Sequence, residues 1–201
     1  MDIDKIPLIG GHPALDFVNT VEEADVPWAV NYLPSYDHLL RWSARVGLLS
    51  AAQVALLAEA HHPWLTEGAW SEAMDLRRAM DAIFRAIAKG KPPPGRALES
   101  FNTILAAAQA HRRLENSSSG LAWDWGPHGD KLEIAPWTIA LSAAALLTDP
   151  ARRAQVKVCD NHECDWLFLD ESPSGRRRWC RMNVCGNAAK VRRFREKQKQ
   201  A

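Results

Sequence analysis

The sequence predicts a mainly α-helical N-terminal domain with one small β-hairpin, followed by a compact C-terminal module made of a β-hairpin and a basic helix. Three observations support this fold class. Apolar residues at helical spacing dominate the first 150 residues, all four cysteines lie in the last quarter of the chain, and that quarter carries the densest positive charge. We therefore predict a helical body at residues 1–150 and a module at residues 151–201.

Length and composition restrict the class of protein. With 201 residues, the chain can form a domain of typical size with a small module attached. Its 47% apolar and 24% charged residues exclude the low hydrophobicity of disordered chains. No stretch approaches the roughly 18 apolar residues of a membrane-spanning helix, and the start of the chain lacks a signal-peptide pattern. We expect a cytoplasmic protein without a membrane partner, where paired cysteines favour metal or redox chemistry over lasting disulfides.

Periodicity and capping signals place the helices of the body. One helix opens with a capping box formed by Ser50 and Gln53. The clearest helix runs from about Ala69 to Lys89, where the sequence GKPPPG ends it, and another helix follows those prolines. The last helix includes Ile139 and stops near Pro150, because the residue before a proline is pushed out of helical geometry.

The β signal of the body is LAWDW, followed by GPHGD and KLEIAP. Apolar and polar residues alternate on either side of a turn that contains glycine and proline. We predict a β-hairpin over residues 121–135.

Polar residues gather in the N-terminal sequence GGHPALDFVNTV, where a short helix is predicted to begin near Pro13. Asp16 and Asn19 are three residues apart, so their polar tips point to nearly the same side. Together with His12 they form a candidate pocket for a small-molecule effector. The alternative is that they cap or bridge nearby backbone groups, as most buried polar side chains do. An enzymatic site is the weaker alternative, since no catalytic constellation accompanies the pair, and we expect no enzyme.

The four cysteines form two close pairs. Cys159 and Cys164 enclose four residues, fifteen residues follow, and Cys180 and Cys185 enclose four more. Two short-range pairs brought together by a hairpin supply the four soft ligands of tetrahedral zinc at modest loop-closure cost. Because four thiolates leave no position for water, we expect one structural Zn²⁺. Iron, a thiol switch and a ligand role for His162 are the alternatives.

A hairpin is predicted between the two cysteine pairs. The segment DWLFLD reads as a strand, ESPSG as its turn, and RRRWC as the returning strand. This hairpin would carry Cys164 and Cys180 toward the same end and would place Trp166, Phe168 and Trp179 beside the metal. A module of about 45 residues buries too little apolar surface to fold unaided, so metal binding would supply part of its stability.

A basic helix is predicted from about Ala188 to Lys199. Asn187 is its expected cap, and Val191 and Phe194 share a face that can dock against the module. Between Arg176 and Ala201 the chain carries ten cations against one anion, Glu196.

Charge divides the chain into an acidic body and a basic module. Residues 1–151 carry 12 Lys and Arg against 18 Asp and Glu, a balance of −6, and residues 152–201 carry 13 against 6, a balance of +7. Such asymmetry indicates a nucleic-acid partner. Phosphate contact explains ten cations of one sign better than solubility does, although it does not say which bases are read. The candidate nucleic-acid-binding residues are Arg176, Arg177, Arg178, Arg181, Lys190, Arg192, Arg193, Arg195, Lys197 and Lys199.

DNA is the favoured partner. The alternative is a protein–protein interaction module whose basic surface docks an acidic partner or its own acidic body. RNA is a further alternative, but the sequence shows no aromatic stacking platform. Because a single small module buries limited surface on DNA, a homodimer or a partner protein is also expected.

The segments CDNHECDWLFLDESPSGRRRW and CRMNVCGNAAKVRRFRE resemble the CGNR-type zinc finger. The opening GGHPALDFVNTV and the helical body resemble the ABATE domain that accompanies this finger in bacterial stress-induced transcription regulators. The resemblance implies a treble-clef-like or ribbon-like module, metal ligation by all four cysteines and DNA binding. One position departs from the family pattern, because Ala188 stands where CGNR has arginine. Any phosphate contact or ion pair made by that arginine is missing here, and Lys190 and Arg192 are the neighbours that could compensate.

Overall fold

The computed structural model describes residues 3, 6–22, 30–59, 63–117, 120–161 and 163–199. The helices are Pro13–Val18 (α1), Tyr36–Arg45 (α2), Ala51–Ala58 (α3), Pro63–Ala88 (α4), Gly95–His111 (α5), Ile134–Thr148 (α6), Pro150–Arg153 (α7) and Asn187–Lys199 (α8). The strands are Val21–Glu22 (β1), Val30–Asn31 (β2), Arg113–Ser117 (β3), Gly120–Asp124 (β4), Val156–Val158 (β5) and Leu167–Leu169 (β6). They form three antiparallel pairs, β1–β2, β3–β4 and β5–β6. Among the described residues, no helix combines the length and apolar character needed to cross a membrane.

The core of the body lies where α1, α4, α5 and α6 meet. Helix α4 buries one stripe that includes Leu76, Met80 and Phe84, which is the periodicity visible in the sequence. Helix α6 carries apolar residues around most of its circumference, because it packs against the other three helices. The buried core continues into the module through Phe168 and Leu169.

The fold class predicted from the sequence is confirmed: the body is mainly helical with a small hairpin, and the module combines a β-hairpin, a helix and four clustered cysteines. The capping box is present, with Gln53 N donating to Ser50 Oγ at 3.2 Å and Ser50 N donating to Gln53 Oε1 at 2.9 Å. The helix predicted to begin near Ala69 begins earlier, at Pro63.

The predicted hairpin over residues 121–135 is wrong in its pairing. Strand β4 pairs with the upstream strand β3, with Leu114 opposite Trp123. The KLEIAP segment leads into α6 instead, because Leu132 and Ile134 are buried in the core. The pattern of apolar and polar residues in LENSSSGLAWD could have predicted the pairing of β3 with β4.

The pairing predicted within the module is also wrong. Strand β6, from DWLFLD, pairs with β5, and the segment Arg176–Cys180 contains no strand. All three residues of β6 are buried, so its pairing is set by packing against the body. As a result, the turn region of the β5–β6 hairpin carries Cys159 and Cys164.

Candidate metal centre and basic surface

The four cysteines lie together in the structure, and we call them the cysteine cluster. Cys159 and Cys164 come from the β5–β6 hairpin, whereas Cys180 precedes a π-helical turn, Met182–Gly186, and Cys185 lies within this turn, which leads into α8. Their Sγ atoms all lie within 4.8 Å of one another. None of the four forms a disulfide.

The spacing of the sulfur atoms fits one tetrahedral metal ion. The Sγ atoms of Cys164 and Cys180 are 3.7 Å apart, and those of Cys180 and Cys185 are 3.6 Å apart. A zinc–sulfur bond of about 2.3 Å requires sulfur–sulfur distances of roughly 3.8 Å in a tetrahedron. The donor set therefore suits a thiolate-bound metal, and these two sulfur–sulfur distances already lie close to the tetrahedral value.

Backbone hydrogen bonds hold the cluster in place. Cys159 N donates to Trp166 O at 2.9 Å across the end of the hairpin, and Cys180 N donates to the Sγ atom of Cys159 at 3.4 Å. Gly186 ends the π-helical turn, and a Cβ atom there would lie 2.5 Å from Met182 Sδ, so a larger residue would require the exposed Met182 side chain to move.

Contacts among Cys159, Cys164 and Cys180 change the pKa values of these three thiols. Hydrogen bonds from the Cys164 and Cys180 thiols lower the pKa of Cys159, and the same contact with Cys159 raises the pKa of Cys164 to about 12. The thiols of Cys159 and Cys164 raise the pKa of Cys180. Because neighbouring thiolates repel one another, a bound cation favours the state in which all the ligating sulfur atoms are deprotonated.

The aromatic residues predicted near the metal differ in burial. Trp166 and Phe168 are buried, and Trp179 is half-buried. Phe168 stacks under the guanidinium of Arg177, with 4.4 Å between the guanidinium carbon and the ring centre. His162, the alternative ligand considered above, lies outside the described residues.

Asp170 organises the arginine-rich loop, and the sequence analysis missed it. Its carboxylate accepts hydrogen bonds from Lys157 Nζ, from the backbone and hydroxyl of Ser172, and from Arg177 N. The Lys157 and Ser172 contacts hold the pKa of Asp170 well below its usual range. Aspartate often accepts hydrogen bonds from the backbone of a turn that follows it. Its position directly before the turn sequence ESPSG could therefore have predicted this role.

Three of the ten predicted nucleic-acid-binding cations make contacts within the module. Arg177 donates to the carbonyl oxygens of Leu169, Trp179 and Cys180. Arg178 pairs with Asp160 through Nε and Oδ2 at 2.7 Å, and Arg192 Nη1 lies 3.4 Å from Asn161 Oδ1. These contacts stabilise the loop and the start of α8.

Five of the ten cations are exposed and make no ion pair with another described residue. We call this set the basic surface. Its members are Arg176, Arg181, Lys190, Arg193 and Arg195. The side chains of Lys197 and Lys199 lie outside the part of the chain that the structure describes.

Helix α8 differs from its prediction in its start and its orientation. Asn187 is not a cap but the first residue of α8, and its side-chain amide donates to Asn183 O at 3.1 Å. Val191 and Phe194 were expected to dock against the module but are 49% and 62% exposed. Ala189 is buried instead, because the preceding π-helical turn brings its face of the helix against the module.

Two of the predicted effector-pocket residues contact the backbone of their own segment. His12 caps α1, with its Nδ1 atom accepting from Ala14 N at 3.2 Å, and burial followed by the charge of Arg152 lowers its pKa. Asp16 Oδ1 accepts from Gly10 N at 2.8 Å, and burial raises the pKa of Asp16 to about 6. Backbone contacts thus occupy these polar atoms.

Asn19, the third such residue, contacts the module. Its side-chain amide forms hydrogen bonds with both the N–H and the C=O of Leu167 in β6. Beside it, Leu169 N donates to Gly10 O at 2.9 Å. The N-terminal segment therefore lines the edge of β6 that β5 leaves open, and the effector pocket stays a prediction.

A helical body joined to a four-cysteine module with an exposed basic helix defines a protein of the zinc-finger class. The chain belongs to the ABATE family, described as "Putative stress-induced transcription regulator", whose model matches residues 11–150. Residues 155–198 match the CGNR zinc finger model. Both resemblances noted in the sequence are thereby confirmed, and the family description is that of a regulator and not of an enzyme. A comparison with curated proteins found no match.

Proposed function

We propose that this chain is a transcription regulator that binds DNA through the basic surface of its C-terminal zinc module. The observation that carries the proposal is the charge of α8 and of the segment leading into it. Lys190, Arg193 and Arg195 are exposed on one helix, and the helix starts at the cysteine cluster. Unpaired cations on a rigid helix are the groups that neutralise DNA phosphates.

One Zn²⁺ is the proposed metal, held by Cys159, Cys164, Cys180 and Cys185. Four thiolates complete its tetrahedral coordination, so its role is structural. The ion would join the hairpin to the start of α8, and its binding free energy would contribute to folding. A regulator that acts on DNA would work in the cytoplasm, where thiols remain reduced and available for the metal.

The exposed apolar residues of α8 fit the same proposal. Val191 and Phe194 lie among the cations and are open to solvent. In a groove of DNA, such side chains can contact thymine methyl groups, whereas the cations position the helix on the phosphates. Limited contact area makes a homodimer the expected binding form.

Docking of the basic surface onto the acidic body is the alternative, and the contacts between body and module argue against it. An ion pair between described residues of the two parts has the opposite polarity: Arg85 of the body pairs with Asp165 of the module at 2.9 Å. Other contacts among the described residues include apolar packing, the hydrogen bonds of β6 with Gly10 and Asn19, and a hydrogen bond from Arg85 Nη1 to Asp165 O. The basic surface is therefore left free for an external partner.

Fluorescence anisotropy with a random DNA duplex at two salt concentrations tests the proposal. The zinc-loaded chain should bind at low salt and weaken as salt rises. A variant with Lys190, Arg193 and Arg195 changed to Ala should lose most of this affinity, and its salt slope should fall by roughly 2.7 if all three contact phosphates.

A matched control variant removes three positive charges from the body instead of from α8. Lys91, Arg96 and Arg113 are exposed cations of the body, and their triple alanine variant should bind DNA as the unaltered chain does. Absence of binding at low salt by the folded, zinc-loaded chain would contradict DNA binding. Binding to an acidic protein in that case would support the interaction-module alternative.

A further inference from the structure

A cavity of about 650 Å³ lies between the body and the cysteine cluster. Its volume is within the range of small-molecule sites, roughly 300 to 1,000 Å³. The body contributes Ile9 and Tyr32 to its wall, and the module contributes Trp166, Val184 and Ala188. A ligand in this cavity would contact both the N-terminal segment and the start of α8.

Negative charge predominates around the cavity. Cys164, Cys180 and Cys185 line it, and a divalent ion bound by four thiolates leaves two negative charges in excess. Glu163 lines the same cavity and forms no ion pair with another described residue. One cation of the lining, Arg181, does not balance these charges.

The apolar part of the wall is suited to the body of an organic cation. Trp166 is buried and Tyr32 is half-buried, and both present aromatic surface of the kind that attracts guanidinium and ammonium groups. Ile9 and Val184 add aliphatic surface. An inorganic cation would leave this apolar surface without a partner.

We propose that the cavity binds a small organic cation with a short apolar body, of the alkylguanidinium or alkylamine class. The charged group lies toward Glu163 and the metal-bound thiolates, and the apolar body lies against Ile9 and Trp166. The cavity shares Arg181 with the basic surface, but the ligand contacts of the proposal use other residues, so the inference does not depend on DNA binding. Its contact with both body and module would let a bound cation alter the position of α8.

Ala188 explains why the space is open in this chain. It lines the cavity and is exposed, and it occupies the position of the arginine in the CGNR name. An arginine side chain there is long enough to enter the cavity and bring its guanidinium to the acidic lining. With alanine, the same position is free for a diffusible cation.

Calorimetric titration of the zinc-loaded full-length chain with n-butylguanidinium tests the proposal. We expect saturable one-site binding with an affinity in the millimolar range, and at least tenfold weaker binding of n-butylurea, its neutral counterpart. The variant A188R should bind no n-butylguanidinium, because its own side chain fills the site. The variant E163Q should bind it roughly two- to fivefold more weakly, as expected for loss of a partly exposed ion pair.

Three results would overturn the proposal: no saturable binding, equal binding of n-butylurea, or undiminished binding by A188R that retains zinc. Zinc content is measured for every variant. If A188R fails to hold zinc, the E163Q titration decides, and an unchanged affinity in E163Q would count against the site. A parallel DNA titration keeps the two proposals distinguishable, since A188R removes the cavity while every member of the basic surface remains.

Discussion

The side-chain amide of Asn19 forms two hydrogen bonds with the backbone of Leu167, 148 residues further along the chain. Nδ2 donates to Leu167 O at 2.9 Å, and Leu167 N donates to Oδ1 at 2.9 Å. The amide thereby satisfies both backbone groups of a buried strand residue in the way that a neighbouring strand would. Helix α1 of the body is thus bonded directly to the strand that precedes the second half of the metal site.

Replacement of Asn19 by alanine should destabilise the folded chain. N19A leaves the buried N–H and C=O of Leu167 without partners, and we expect a loss of about 2 to 4 kcal/mol in the free energy of unfolding. Urea unfolding of the zinc-loaded chain measures it. N187A is the matched control, because Asn187 is exposed and makes one local contact, and it should cost less than about 1 kcal/mol. Equal effects of the two variants would refute a bonding role for Asn19.

Loss of one cysteine should abolish metal binding. C180S removes a buried ligand, and we expect zinc content to fall from one equivalent to near zero, with loss of the module's folded signal. Atomic absorption after gel filtration gives the stoichiometry. M182L is the control, because it removes a sulfur atom that lies near the cluster but is outside the ligand set. A full equivalent of zinc in C180S would show that the four thiols do not act together.

Asp16 should make stability depend on pH. Its pKa of about 6 is above the unfolded value, since burial disfavours the carboxylate. The folded state therefore binds the proton more tightly, and stability should fall as pH rises from about 4 to about 6 and stay level above that. Relative to D16N, which cannot titrate, the unaltered chain should lose on the order of 2 kcal/mol across this window.

Urea unfolding at several pH values, compared between the unaltered chain and D16N, measures this effect. Metal release at low pH affects both proteins, so the difference between them isolates Asp16. The exposed Asp37 provides the control variant D37N, whose pH profile should follow that of the unaltered chain. A constant difference between the unaltered chain and D16N from pH 4 to 8 would exclude a raised pKa.

Two glycine-to-alanine changes should have opposite signs. A Cβ atom at Gly10 would lie 2.9 Å from both Asp16 N and Leu15 Cβ, so G10A must displace α1 and should cost about 1 to 3 kcal/mol. Gly68 lies in exposed helix with no atom within 4 Å of an added Cβ. G68A should therefore stabilise the chain by about 0.5 to 1 kcal/mol. Thermal unfolding of both variants gives the comparison, and a stabilising G10A would argue against the close approach.

Strand pairing shows where sequence reasoning failed. The sequence analysis predicted extended segments in LAWDW and DWLFLD, which overlap β4 and β6, but it assigned the wrong partner to each. The reason is physical, since alternation reports which faces of a strand are buried or exposed and contains no information about which other segment supplies its hydrogen bonds. Burial of Ile134 and of β6 against the helices decided both pairings.

The sequence by itself predicted the clustering of the four cysteines and most of the helices. Residue type, number and close spacing are local chemical properties, so the cysteines could be grouped as candidate metal ligands without coordinates. Capping and periodicity are also local, which is why the Ser50 box and the stripe of α4 were predictable. Tertiary structure alone decided which cations of the module are free, that Phe194 faces solvent, and that Asn19 bonds to Leu167. Each of these depends on how distant elements pack, and the free energy of that packing comes from contacts between residues far apart in the chain.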